Sequence, residues 1–271
     1  MPEFVLDEGC EPSIGSIIEG EIIPRLLAAH GEIEQRAPPE RSMRVCESEA
    51  ERFETLPLSM EADELLDQVD LMLARGASVE SIFVDVLARS ARRLGTMWEE
   101  DSCTFVDVTV GLWRLQETMR AVARRAPPII EAVTAPRSIM LAPMPGDQHS
   151  FGTLMIEQVF LRAGWESELL FDPSRKDILT MLASRQFDIA GLTLSCDHDC
   201  DDMRQFVASI RSVSANPAIR IMVGGRAVGG DESLAREMGA DGTALDAESA
   251  LDLADSLVPL TAGGNSVRGS Y

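Results

Sequence analysis

Asp147, His149 and Gly152, spaced as Asp-x-His-x-x-Gly, carry the clearest chemistry in this chain. A histidine offers one ring nitrogen to a metal, while a carboxylate two residues away accepts the other N–H and holds the tautomer. The glycine lets the backbone pass close to a bulky group. The plainer reading makes His149 a turn residue satisfied within its own loop and Asp147 an Asx-turn residue, which is compatible with the orienting role. Further along, Thr193 and Ser195 end one apolar run and Gly224-Gly225 end another. These residues either terminate strands or line a ligand, with Thr193 the favoured hydroxyl.

A second cluster, Cys196-Asp197-His198-Asp199-Cys200, alternates soft and hard ligands suited to zinc or iron. Its spacing is not that of a zinc finger, and Asp197 or Asp199 capping the next helix explains the aspartates more simply. His198 still falls at the ligand-binding edge, as a possible metal ligand or a redox partner for Cys196 or Cys200.

From Arg137 onward, short apolar runs alternate with amphipathic stretches. The pattern predicts strands at Ser138–Ala142, Glu166–Leu170, Ile189–Leu194, Arg220–Val223 and Gly242–Ala244. Helices are expected near Gly152–Ala163, Arg175–Ser184, Asp199–Ser212, Asp231–Met238 and Ala247–Leu257. Strands buried on both faces and separated by helices make a parallel, doubly wound sheet. Ligands of such sheets bind at the carboxyl ends of the strands, where Asp147, Thr193 and Gly224 all fall.

The preceding chain reads as helices. One helix is expected over residues 13–35, with a kink at Pro24 and His30 near its far end, where a cation is favoured. Residues 36–57 read as a loop, so that 1–57 forms an N-terminal helix and flexible linker. Helices follow at Ser59–Arg75, after the Ser78 cap, and at Thr104–Arg124, with a break from Gly95 to Asp101. Phe105, Val108, Leu112, Leu115, Met119 and Val122 are expected inward on the last of these, and Trp113 in the core. Trp98 is either a cap residue or a ligand contact. Residues 58–126 with helix 13–35 thus form a helical bundle. Pro127-Pro128 to Pro136 mark the boundary, 137–260 the α/β domain, and 261–271 a disordered tail.

The formal charge of −21 disfavours direct binding to nucleic acid, whose affinity rests on Lys and Arg neutralising phosphates. Five cysteines without framework spacing, with no leader and no long apolar run, predict a cytoplasmic protein that no membrane holds.

Asp147-x-His149-x-x-Gly152, Thr193-Leu194-Ser195 and Gly224-Gly225 together resemble the cobalamin-binding domain of the methionine synthase type. That resemblance implies a flavodoxin-like five-stranded sheet of order 2-1-3-4-5 beneath a helical cap. It implies His149 as lower ligand to cobalt, and a slot for the displaced nucleotide tail lined by the hydroxyl residue and the Gly-Gly pair. Leu94-Gly95-Thr96-Met97-Trp98 resembles the cap of light-sensing cobalamin regulators, but Val108 and Thr109 stand where those carry Glu-His. Phe105 to Gln116 is similar to the AerR/PpaA antirepressors of purple photosynthetic bacteria. The implied function is a non-enzymatic, light-responsive transcriptional regulator that binds cobalamin, hydroxocobalamin being favoured. It would antagonise a DNA-binding repressor of the CrtJ/PpsR type that controls photosynthesis genes. A corrinoid methyl carrier for a methyltransferase and a haem-binding redox sensor are the alternatives.

Overall fold

A computed structural model describes residues 43–127, 136–147, 151–196 and 199–259. The expected helix over 13–35, the tail 261–271, His149 and His198 lie outside the described residues. Apolar periodicity builds the first half from helices α1 (Glu47–Phe53), α2 (Ala62–Ala74) and α3 (Val79–Ser81). A π-helical segment, Ile82–Leu87, joins α3 to α4 (Ala88–Glu99), and α5 (Phe105–Arg125) follows. The core beneath them is Phe53, Leu65, Val69, Phe83, Leu87, Leu94, Leu115, Met119 and Val122, among others.

Four local expectations change. Residues 36–57 were expected as a loop, yet Glu47–Phe53 is helical and Leu56–Leu58 forms a 3-10 turn, with Ala50 and Phe53 buried. Helix α2 begins after Glu61, whose N–H donates to the Glu64 carboxylate at 2.8 Å, and Ser59 instead ends the 3-10 turn. No break occurs at Gly95, because α4 continues to Glu99. Phe105 and Trp113 face solvent, 68% and 55% exposed. Helix α5 is instead buried through Gly111, Leu115, Thr118, Met119 and Val122. A Cβ at Gly111 would come within 2.8 Å of Leu94 Cδ1, so the bare glycine is what lets α4 and α5 approach.

The second half alternates strands and helices: β1 (Ser138–Pro143), α6 (Phe151–Arg162), β2 (Glu166–Leu169), α7 (Arg175–Ser184), β3 (Ile189–Thr193), α8 (Cys200–Val213), β4 (Arg220–Gly224), α9 (Glu232–Glu237), β5 (Gly242–Ala244) and α10 (Ala247–Leu257). The sheet is wholly parallel in the order β2-β1-β3-β4-β5, as expected of the flavodoxin-like arrangement. Strands β1 and β3 are buried along nearly their whole length, as strands covered on both faces must be.

The bundle and the sheet domain share apolar surface. Leu154 and Met155 from α6 join the bundle core, while Val84 of the π-helical segment packs with Val159 and Ala247. Arg162 lies over the Phe83 ring at 5.1 Å and donates to the Ala126 carbonyl at 2.6 Å. Burial lowers the pKa of its guanidinium, and Glu80 acts in the opposite sense.

Candidate functional site at the carboxyl edge of the sheet

Register lines up the site. Pro143 is opposite Thr193, Thr193 opposite Gly224, and Gly224 opposite Ala244, so the residues singled out in sequence form one row at the strand ends. After β1, Met144-Pro145-Gly146-Asp147 closes a β-turn in which the Asp147 N–H donates to the Met144 carbonyl at 2.8 Å. Gly146 has φ +89°, which a type II turn requires at its third position, and proline before it fixes the second. The turn delivers the Asp147 carboxylate inward, where it is buried.

The expected partner of Asp147, His149, lies outside the described residues; Asp147 Oδ2 accepts the backbone N–H of Ser195 at 2.6 Å. A carboxylate thus binds the loop after β1 to the loop after β3. Ser195 contributes its amide to this bond.

Thr193 Oγ1 sits 2.8 Å from Thr153 Oγ1, both residues being buried. Thr153 was missed in the sequence reading. Its one signal is a hydroxyl immediately after Gly152, in the first turn of an otherwise apolar helix. Each threonine serves the other as hydrogen-bond partner at the junction of β3 and α6.

The glycines differ in purpose. A Cβ on Gly225 would stand 2.4 Å from the Leu194 carbonyl oxygen, and φ is +100°, so the protein's own packing demands glycine there. The Ala227 N–H also donates to that carbonyl, and the Leu194 N–H donates to Gly224 O at 2.8 Å. Among the described residues, a Cβ on Gly152 would meet nothing within 4 Å, so their packing does not require glycine there.

Above this edge stands the end of α4. Glu99 pairs with Arg226, which follows the Gly224-Gly225 turn. Trp98, 49% exposed, meets Phe105 edge-on with ring centroids 6.4 Å apart. Val108 is half-buried, and the Thr109 hydroxyl donates to the Phe105 carbonyl at 2.8 Å.

Of the cysteine cluster, Asp197 and His198 lie outside the described residues. Asp199 caps α8, accepting from the Asp202 N–H at 2.9 Å, and Cys200 is the first residue of that helix. Desolvation chiefly, with the Glu237 and Asp199 charges, raises the Cys200 thiol above its ordinary value, opposite to what a thiolate ligand needs. Among the described residues no group of three His, Cys, Asp or Glu side chains could hold a metal ion.

Residues 137–254 match the B12 binding domain family. That match runs from the start of the sheet domain into α10. A buried hydroxyl pair and a glycine turn at the carboxyl ends of β3 and β4 are compatible with a corrinoid held there. The chain overlays the monomethylamine corrinoid protein of Methanosarcina barkeri with a TM-score of 0.65 at 14% identity. That likeness covers 76% of this chain and 96% of that one, and it is a likeness of fold. A relative described as an uncharacterized 20.5 kDa protein in the bchF-crtJ intergenic region of Rhodobacter capsulatus is 25% identical over 172 residues. The match takes in 64% of this chain and 89% of the relative. No helix among the described residues is long and apolar enough to cross a membrane.

Proposed function

We propose that this protein is a light-responsive, cobalamin-binding transcriptional regulator with no catalytic activity of its own, acting through a DNA-binding repressor of the CrtJ/PpsR type. The observation that carries this reading is the contact of Glu99, at the end of the bundle's α4, with Arg226 at the carboxyl edge of the sheet. A group held at that edge would lie against the bundle, so a change in the group would be felt by α4 and α5.

When bound, cobalamin would supply a light-sensitive cobalt centre. His149 would be the lower ligand, held by the loop that Asp147 anchors to Ser195. Gly152 would admit the corrin, while Thr193, Thr153, Gly224 and Gly225 would line the slot for the tail. Trp98 and Phe105, paired at the end of the bundle beside that edge, would lie against the bound group. Val108 and Thr109 offer neither imidazole nor carboxylate there, which favours hydroxocobalamin over a form with a large upper group.

Action through another protein follows from charge. At −21, the chain repels a phosphodiester backbone. The resemblance to antirepressors and the bchF-crtJ setting of the Rhodobacter capsulatus relative both support a repressor as that partner.

The test is a titration of such a repressor, bound to its operator fragment, with this protein either loaded with hydroxocobalamin or free of it. The loaded form should dissolve the repressor–DNA complex at a concentration at least 10-fold lower than the free form. Alone, it should shift no DNA. Equal potency with and without the corrinoid would refute the proposal.

A further inference from the structure

Helix α5 carries a second apolar surface that the cofactor reading does not use. Val106, Val110 and Trp113 are 65%, 38% and 55% exposed and succeed one another at helical spacing. They lie opposite the buried face of Gly111, Leu115, Thr118, Met119 and Val122. Phe105 is separate, turned onto Trp98. An outward tryptophan flanked by two valines is an interaction surface rather than a solvated helix face.

Charge around this stripe is polarised along the helix. Asp101 and Asp107 lie at its N-terminal end and Arg120 and Arg124 at its C-terminal end, while Glu99, Glu100 and Arg125 are engaged within the chain by Arg226, Arg93 and Asp70. Trp113 lies close to the middle of the 21 residues. Val106 and Arg120 are each about two turns from Trp113, on opposite sides. Such a helix is complementary to itself when reversed. Two copies related by a two-fold axis at Trp113 would set acidic end against basic end, oppose their helix dipoles, and stack the tryptophans centrally.

We propose that the outward face of α5 pairs antiparallel with the same face of a second copy of this chain, around a two-fold axis at Trp113. The stem of Arg120, whose head is held 2.6 Å from Glu117, packs over Val106 of the other copy. Arg124 meets Asp101 across the axis. One helix face buries less than a permanent dimer needs, so association is weak, with dissociation in the range of roughly 1–100 μM.

Sedimentation velocity of the full chain across that range tests the proposal. The wild type should shift from the mass of one chain, 29.5 kDa, towards twice that as concentration rises, and less so at 0.5 M salt. Trp113→Asp should weaken association at least 10-fold. Because Trp113 is exposed, its circular dichroism and melting should match the wild type. Asp101→Arg alone should weaken the dimer, and adding Arg124→Asp should restore it. A single-chain mass at every concentration overturns the proposal and leaves the stripe to a different protein. A dimer that survives Trp113→Asp, or a charge exchange that fails to restore one, overturns it as well.

Discussion

The Asp147 carboxylate accepts the Ser195 backbone N–H at 2.6 Å, so one buried side chain couples the loop after β1 to the loop after β3. Both loops belong to the carboxyl edge of the sheet, where the proposed function places the corrinoid.

Removing that carboxylate should cost both stability and binding. Asp147→Ala leaves a partly buried amide unsatisfied, a loss of about 1–3 kcal/mol that denaturant unfolding would register. Affinity for hydroxocobalamin, followed by absorbance, should fall 10- to 100-fold, the usual penalty for losing an outer-shell partner. Unchanged affinity would place the bond outside the binding machinery.

Gly225 and Gly152 should respond in opposite ways. Gly225→Ala forces a Cβ to 2.4 Å from the Leu194 oxygen at φ +100°, costing roughly 3 kcal/mol or more by strain and overpacking. Gly152→Ala meets open space and should leave thermal unfolding within about 1 kcal/mol of wild type. Its cobalamin affinity should nonetheless fall if the corrin passes close to Gly152, as the proposed function requires.

The Thr153–Thr193 pair should behave as a unit. Replacing either by Val strands the other buried hydroxyl, at about 1–3 kcal/mol. The double variant should lose less than the sum of the two singles, giving a coupling energy above about 0.5 kcal/mol in a double-mutant cycle.

Helix capping sets an acid limit. Asp231 accepts from the Ser233 hydroxyl and from the Leu234 and Ser233 amides, which hold its carboxyl below the ordinary 3.8. A depressed folded value means stabilisation that is complete above the unfolded value and lost as pH falls through the folded one. The melting-temperature difference between wild type and Asp231→Ala should therefore be largest at neutral pH and shrink below about pH 4.

Much of this fold was legible because strands and helices punctuated themselves. Apolar runs ending in Thr193, Gly224 and the Pro145-Gly146 turn gave strand ends, and parallel register then brought those ends into one row. Helix α5 was harder. Its true core face includes Gly111 and Thr118, whose value is close approach and hydrogen bonding, which hydrophobic periodicity does not register. Trp113 and Phe105, being large and apolar, were assigned inward yet face out. Helix α1 was hidden by its charge, since Glu47, Glu49, Glu51 and Arg52 outnumber the buried Ala50 and Phe53. Thr153 carried only the weak signal of a hydroxyl in an apolar helix, because its pairing with Thr193 depends on two distant segments meeting.

The most direct test is the absorption spectrum of wild type and His149→Ala after incubation with hydroxocobalamin and gel filtration in light. The account predicts corrinoid co-eluting with the wild type at about one per chain, and its loss or a spectral change in His149→Ala. Protein that elutes free of corrinoid, or that takes up haem with a Soret band instead, would contradict it.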